Sequence, residues 1–301
     1  MTKTNKDGIL LALCAYGFWG IAPVYFKWVS HVSAIEILAH RVLWSLILTL
    51  LIIIATRRMP KLIDAVKNSK IRLSLIISTL LVGFNWGIFI WAVNTNQMLS
   101  ASLGYYINPL INIILGMIFF AERLDGVKKL AAIMCLLAVG LEIYHFGQLP
   151  WIALALAFSF GLYGLVRKKI AVDSFVGMVL ETGLMLPAAL IYLFLSPETV
   201  WASGEASTAT YIKLLLAGPV TMIPLLCFAA AANRVSLTSL GFLQYIGPSG
   251  MFLLAIFVYG EPISSEKLIT FVIIWSALAL LIWDGFRKFS RRPKGSLPQS
   301  S

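Results

Sequence analysis

The sequence predicts an all-α integral membrane protein with ten transmembrane helices in two inverted five-helix repeats. Three observations carry that prediction: the apolar content, the placement of the cations and an internal repeat. Apolar residues fill 59% of the 301 positions and charged residues only 12%, about half the share of a soluble domain. A soluble fold of this length could not hide that much apolar surface. A bilayer core about 30 Å thick takes about 20 apolar residues per helical span, so ten spans use about 200 residues and leave short loops. Barrel strands would alternate apolar and polar residues. Runs such as Leu46 to Ala55 do not alternate.

The spans read as follows, in order. The first, 8–30, follows a short N-terminus (1–7). It is too long for a signal peptide, with no small-x-small cleavage site and bulky residues from Tyr25 to Trp28. The second, 34–56, contains Glu36, His40 and Arg41 among 13 Ile, Leu and Val residues, whose summed insertion energy exceeds the cost of the Arg. The third, 71–93, holds Asn85 and Trp86. The fourth, 101–121, opens with Tyr105, Tyr106 and Asn108 ahead of Pro109, and the fifth, 127–145, ends near Glu142 and His145. The sixth, 149–167, has small residues at Gly161 and Gly164 that permit close packing. The seventh, 174–195, carries Glu181, and the eighth, 210–232, is expected to kink at Pro219 and Pro224. The ninth, 238–259, opens with Gln244, Tyr245 and Pro248, and the tenth, 266–286, precedes a basic tail (287–301).

The net charge of +11 would suit nucleic acid if it formed a patch. It does not: the cations sit between the apolar runs. Twenty of the 24 Lys and Arg residues fall on the N-terminal side of the membrane, only Lys213 and Lys267 on the other, and Lys27 and Arg41 within spans. That asymmetry places both termini in the cytoplasm. Trp201, Trp283 and Trp151 read as interfacial anchors. Cys14, Cys135 and Cys227 all lie in apolar segments, with neither a disulfide framework nor metal spacing, and read as small buried apolar residues.

The repeat is visible at an offset of 139 residues. Tyr106-Ile107-Asn108-Pro109 recurs as Tyr245-Ile246-Gly247-Pro248, Glu122 matches Glu261, and Lys128 matches Lys267. Phe18-Trp19-Gly20 loosely matches Leu162-Tyr163-Gly164, with Glu36 against Glu181. The unit is five spans, 8–145 and 149–286, and an odd number of spans inverts the second copy. Inverted repeats with a site near the midplane are an architecture of secondary transporters.

Several of these stretches together resemble one family. They are Trp19-Gly20-Ile21-Ala22-Pro23, Glu36-Ile37-Leu38-Ala39-His40-Arg41, Asn85-Trp86, Ser102-Leu103-Gly104-Tyr105-Tyr106-Ile107-Asn108-Pro109 and Gln244-Tyr245-Ile246-Gly247-Pro248. The chain from about residue 8 to 286 is similar to the RarD proteins of the EamA group, in the drug/metabolite transporter superfamily. The resemblance implies ten helices in two repeats, the bacterial inner membrane, and export or exchange of small molecules. It names no substrate. Related small multidrug transporters use an acid in their first helix for proton coupling, whereas the first span here has none between Gly8 and Ser30.

Ionisable groups in a bilayer are costly and functional by default. Arg41 lies roughly 10 Å inside its helix end at 1.5 Å per residue, too deep to snorkel, so it needs a cavity or an acidic partner. Its planar fork suits a carboxylate or phosphate. Glu36 and His40 share its neighbourhood, and Lys27 is expected at the same mouth. A structural Lys27–Glu36–Arg41 ion-pair set is the competing reading. Glu181, roughly 10 Å from the other helix end, would mark the opposite gate or bond between helices. Pro109 and Pro248 free carbonyls that a cavity could use, and Tyr105, Tyr106, Asn108, Gln244 and Tyr245 supply aromatic and amide groups beside them. With Asn85 and Trp86, these twelve residues form the expected substrate site.

The expected function is a secondary transporter of small metabolites or drugs, an exporter or exchanger working by alternating access. The implied partners are the lipid bilayer and a small solute, amino-acid-like or acidic, handled by a monomer; no cofactor, metal or nucleic acid is implied. The alternatives are a channel or an intramembrane enzyme. Gly247-Pro248-Ser249-Gly250 is similar to the rhomboid protease nucleophile motif, yet that chemistry needs a later His, and His31, His40 and His145 all precede it.

Overall fold

The computed structural model describes residues 3–95, 97–147, 149–197, 199–200, 207–260 and 265–290, and every regular element among them is an α-helix. Trp201, Glu261 and the tail from residue 291 onward lie outside the described residues. The helices are α1 (Lys3–Trp28), α2 (Ala34–Ala55), α3 (Met59–Lys67), α4 (Ser69–Asn94), α5 (Met98–Phe120) and α6 (Gly126–Phe146). They continue with α7 (Trp151–Ile170), α8 (Ser174–Leu195), α9 (Thr208–Ala232), α10 (Leu237–Gln244), α11 (Ile246–Phe257) and α12 (Ser265–Ser290). Among the described residues nine spans are long and apolar enough to cross a bilayer, α10 and α11 counting as one broken span. The tenth is α6, with Lys128 and Lys129 near its start. The chain is a multi-pass membrane protein.

Several helix starts are set by small polar caps. Ser33 accepts the Glu36 N–H at α2, Asp125 the Lys128 N–H at α6, Asp173 the Phe175 and Val176 N–H groups at α8, and Ser236 the Ser239 N–H at α10. Each cap satisfies a donor that a helix end would otherwise leave bare. The outward faces carry Leu10, Leu51, Leu80, Ile118, Leu137, Phe194 and Ile212, all exposed, as a lipid-facing surface requires.

The packing follows a twofold swap. α1 packs on α9 as α7 packs on α4, and α5 packs on α7 as α10 and α11 pack on α1. α2–α8, α5–α10 and α6–α12 each pair an element with its own counterpart. At the α1–α11 crossing the backbones almost touch: a Cβ on Gly250 would stand 3.0 Å from the Gly20 Cα.

Three features depart from the expectation. The basic stretch after the second span is not a plain loop but contains α3, which packs Ala65 and Leu62 against Ile53, Val176 and Val179. The ninth span breaks at Tyr245, where Pro248 denies the Gln244 carbonyl its helical donor; α5 and α9 run unbroken through Pro109, Pro219 and Pro224. Of the cysteines only Cys135 is buried: Cys14 is exposed and Cys227 half-buried, their sulfurs 3.8 Å apart. The reason is that the outer face of a spanning helix meets lipid, not core.

Candidate functional site

A cavity of about 1130 Å³, open mouth included, lies between the repeats. α1 contributes Tyr16, Trp19, Ala22 and Phe26, at spacings that keep them on one helix face. α4 gives Asn85, Trp86 and Phe89; α5 gives Ala101, Gly104, Tyr105 and Asn108; α7 gives Leu156 and Phe160. Arg41, Val220, Leu225, Gln244, Gly247, Pro248 and Met251 complete it. These positions fall in the last half of α1 and α4 and the first half of α5 and α7, so the cavity lies toward one end of the bundle.

Among the described residues Arg41 is the one charged side chain lining this cavity. Its Nε donates to Thr221 Oγ1 at 2.7 Å, and its guanidinium carbon lies 4.7 Å from the Trp86 ring centroid and 5.8 Å from that of Phe26. No carboxylate among the described residues pairs with it. The guanidinium is therefore oriented by one hydroxyl and two rings, and its terminal nitrogens form no hydrogen bond among the described residues. Among the described residues the Lys27–Glu36–Arg41 ion-pair set does not form.

The amides are tied to the helices around them. Asn85 Nδ2 donates to the Leu156 carbonyl and Ser159 Oγ, both at 2.9 Å. Asn108 Nδ2 donates to the Ala157 carbonyl at 2.8 Å. Asn112 Nδ2 bridges Asn108 Oδ1 (3.1 Å) and Gln244 Oε1 (2.7 Å), joining counterpart helices across the pseudo-axis. Pro109 and Pro248 each lack the N–H that would take the carbonyl four residues earlier. Those carbonyls belong to Tyr105 and Gln244, both cavity residues.

Six of the twelve expected residues thus meet here: Arg41, Asn85, Trp86, Tyr105, Asn108 and Gln244. The other six stand elsewhere. Glu36 is fully buried, accepts the Val200 N–H at 3.0 Å and faces His40 Nε2 at 3.9 Å, while His40 Nδ1 accepts from Trp44 Nε1 at 3.3 Å. Lys27 sits 3.3 Å over the Tyr259 ring centroid. Tyr245 is fully buried and donates to the Tyr106 carbonyl at 3.3 Å, and Tyr106 packs edge-on against Phe271. Glu181 is buried between α4, α7 and α8: it accepts from Ser78 Oγ at 2.6 Å and Tyr163 O–H at 3.2 Å, and pairs with Arg167 at 3.4 Å. Sequence reading overlooked Tyr16, Trp19, Phe26, Phe160 and Asn112; the i, i+4 spacing of Asn112 from Asn108 was the one available signal.

The far end of the bundle is sealed. Below Trp19 the rings of Tyr16, Phe160, Phe228 and Tyr163 pack against one another with centroids 5.3–6.2 Å apart, and Ala231, Val235, Leu237 and Leu240 are buried around them. Glu122 accepts the Leu237 and Thr238 N–H groups at 2.8 Å each, closing the start of α10. Lys168 donates to the carbonyls of Ala232 and Val235, and its ammonium lies 5.2 Å from the Phe120 ring. At the opposite mouth Lys27 over Tyr259 resembles this arrangement: Tyr259 is the counterpart of Phe120, 139 residues on, while Lys27 stands three residues past the counterpart of Lys168 in the register that pairs Phe18 with Leu162. Among the described residues no group of three His, Cys, Asp or Glu side chains could hold a metal.

The sequence is similar to proteins named as transporters. The model of the EamA-like transporter family matches residues 6–143. An uncharacterized transporter of Vibrio cholerae is 52% identical over 94% of this chain and 94% of its own length. Protein RarD of Escherichia coli is 48% identical over 97% of this chain and 99% of its own. A solved crystal structure, 18% identical, superposes with a TM-score of 0.73 over 96% of this chain and 100% of that one, a likeness of fold.

Proposed function

The chain belongs to the RarD family of EamA-like transporters, and from that premise we propose that it carries small metabolites or drugs across the bacterial inner membrane by alternating access, as an exporter or exchanger. The observation that supports this most is a cavity with aromatic walls and one unpaired guanidinium, lying toward one end while the other end is packed shut. Arg41, Asn85, Trp86, Tyr105, Asn108 and Gln244 bind the solute, which is acidic or amino-acid-like because the fixed cation calls for an anionic group. Lys27, Glu36, His40, Tyr106, Glu181 and Tyr245 hold the helices that move around it. The halves 8–145 and 149–286 exchange roles, Lys168 with Glu122 closing the cytoplasmic mouth and Lys27 with Tyr259 standing at the periplasmic one. Both termini are cytoplasmic, and one chain suffices.

The test reconstitutes purified protein into liposomes with solutes enriched outside producing cells relative to deletion cells. Saturable, counterflow-capable flux is expected. Flux that rises linearly with concentration would make it a channel, and conversion of the solute an enzyme. Single cysteines beside Glu36 and Glu181 should label from opposite sides of the membrane; labelling of both from one side under all conditions would end the alternating-access reading.

A further inference from the structure

The connection between α2 and α4 is more than a link. α3 follows the end of α2 by four residues and precedes α4 by two, so it lies at the membrane boundary that both neighbouring spans cross. Arg57, in the left-handed region at φ 56°, makes the turn that lays α3 down, a conformation most side chains avoid. One face of α3 is spoken for: Ala65 is buried against Val176 and Val179 of α8. An adjoining face is apolar and bare, with Met59, Ile63 and Val66 each 39–47% exposed. Spacings of four and three residues put these three in one stripe.

Cations border that stripe. Arg57, Arg58, Lys61, Lys67, Lys70 and Arg72 fall within sixteen positions, against a single acid, Asp64. Asp173 takes up two of them, Arg58 at 3.0 Å and Lys61 at 3.8 Å. Arg72 donates to the Val66 carbonyl. Arg57, Lys67 and Lys70 are exposed and form no ion pair among the described residues.

We propose that α3 and these three cations form a binding surface for anionic phospholipid headgroups. The apolar stripe enters the acyl boundary while the ammonium and guanidinium groups meet phosphate, the arrangement by which interfacial helices read lipid charge. A neutral zwitterionic leaflet would satisfy the stripe but not the cations. Because α3 also leans on α8, headgroups held here would brace the first repeat against the second at the sealed end.

Full-length protein in nanodiscs of equal phosphatidylcholine and phosphatidylglycerol, released into native mass spectrometry, reads the retained lipid directly. Wild type should retain phosphatidylglycerol over phosphatidylcholine by about tenfold or more, since each cation near the surface contributes separately. Arg57→Gln/Lys67→Gln/Lys70→Gln should lose most of that preference, with an unchanged unfolding midpoint in pure phosphatidylcholine because none of the three side chains holds the fold. Arg123→Gln/Lys128→Gln/Lys129→Gln, which removes equal charge elsewhere on the same side, should keep it. Equal loss in both triple variants would reduce the effect to net charge and overturn the proposal, as would a wild type that retains both lipids alike.

Discussion

Half-buried Arg41 and fully buried Arg167 differ in their partners, and that difference predicts opposite behaviour when each is replaced. Arg41 has no acidic partner among the described residues, whereas Arg167 is paired with Glu181 at 3.4 Å and wedged against the backbone of Gly177. Arg41→Leu loses a charge-assisted hydrogen bond to Thr221, about 1.5–3 kcal/mol, and stacking on Trp86, about 0.5–2 kcal/mol. It also removes a charge whose presence in the bilayer costs about 2.5–3.5 kcal/mol. At mid-range these contributions offset one another to within about 1 kcal/mol, so Arg41→Leu protein should accumulate at close to the wild-type level. Arg167→Leu strands a buried carboxylate, at a cost of about 3–5 kcal/mol, and should lower folded protein severely. Replacing Glu181 by Leu as well should restore much of it, because a buried pair exchanged for apolar side chains is near neutral. The readouts are monodisperse protein by size-exclusion chromatography and solute export per folded molecule. Arg41→Leu should fold and not transport; Arg41→Lys should fold and transport poorly, because a point charge cannot reproduce the fork. Wild-type export per molecule in Arg41→Leu, or a collapse of its folded amount, would refute the assignment of Arg41 to the solute.

Further expectations follow from the ends of the bundle and from its closest crossing. Glu122→Ala removes the acceptor for two N–H groups at the start of α10. A Val235→Cys reporter in a background without Cys14, Cys135 and Cys227 should then label several-fold faster with maleimide from the cytoplasmic side; an unchanged rate would mean that Glu122 only caps a helix. Gly250→Val forces methyl groups onto the Gly20 backbone and should destabilise the fold by about 1–3 kcal/mol, seen as a lower unfolding midpoint; a wild-type midpoint would show that the crossing is loose. A periplasm-active reporter fused after Ser203 should be active and one fused after Ser69 inactive, the reverse pattern inverting the orientation.

The spans were legible because bilayer thickness imposes one length and one composition on each of them. α3 was not, because its five apolar residues lie in a stretch with six cations and carry too little hydropathy to stand out, and only the packing of Ala65 on α8 shows the helix. Pro248 and Pro109 occupy equivalent positions, yet only the first breaks its helix. A proline specifies a missing donor, and neighbouring packing decides whether the axis yields. Within the site, Arg41, Asn85, Asn108 and Gln244 were legible because polar groups are rare in apolar runs. Tyr16, Trp19, Phe26 and Phe160 were not, since an aromatic ring in a spanning helix reads equally well as cavity wall or lipid belt.

The duplication is faithful in backbone and unfaithful in charge, and that contrast constrains the mechanism. Glu36 and Glu181 are matched in sequence but keep different company: Glu36 takes a backbone N–H and faces a His, while Glu181 holds an Arg, a Tyr and a Ser. Arg41 has no cationic counterpart on α8, where the position five residues beyond Glu181 is Leu186. Two mirrored solute sites would need two such cations, one per repeat. A single guanidinium beside the pseudo-axis, with the matched carbonyls of Tyr105 and Gln244 in the same cavity, fits one site visited from both sides. The likeness that survives, Lys168 over Phe120 and Lys27 over Tyr259, with the rings matched and the lysines three positions out of register, lies at the two mouths. In an alternating-access carrier, equivalence is needed at the gates; the solute requires only that one site stay put while they take turns.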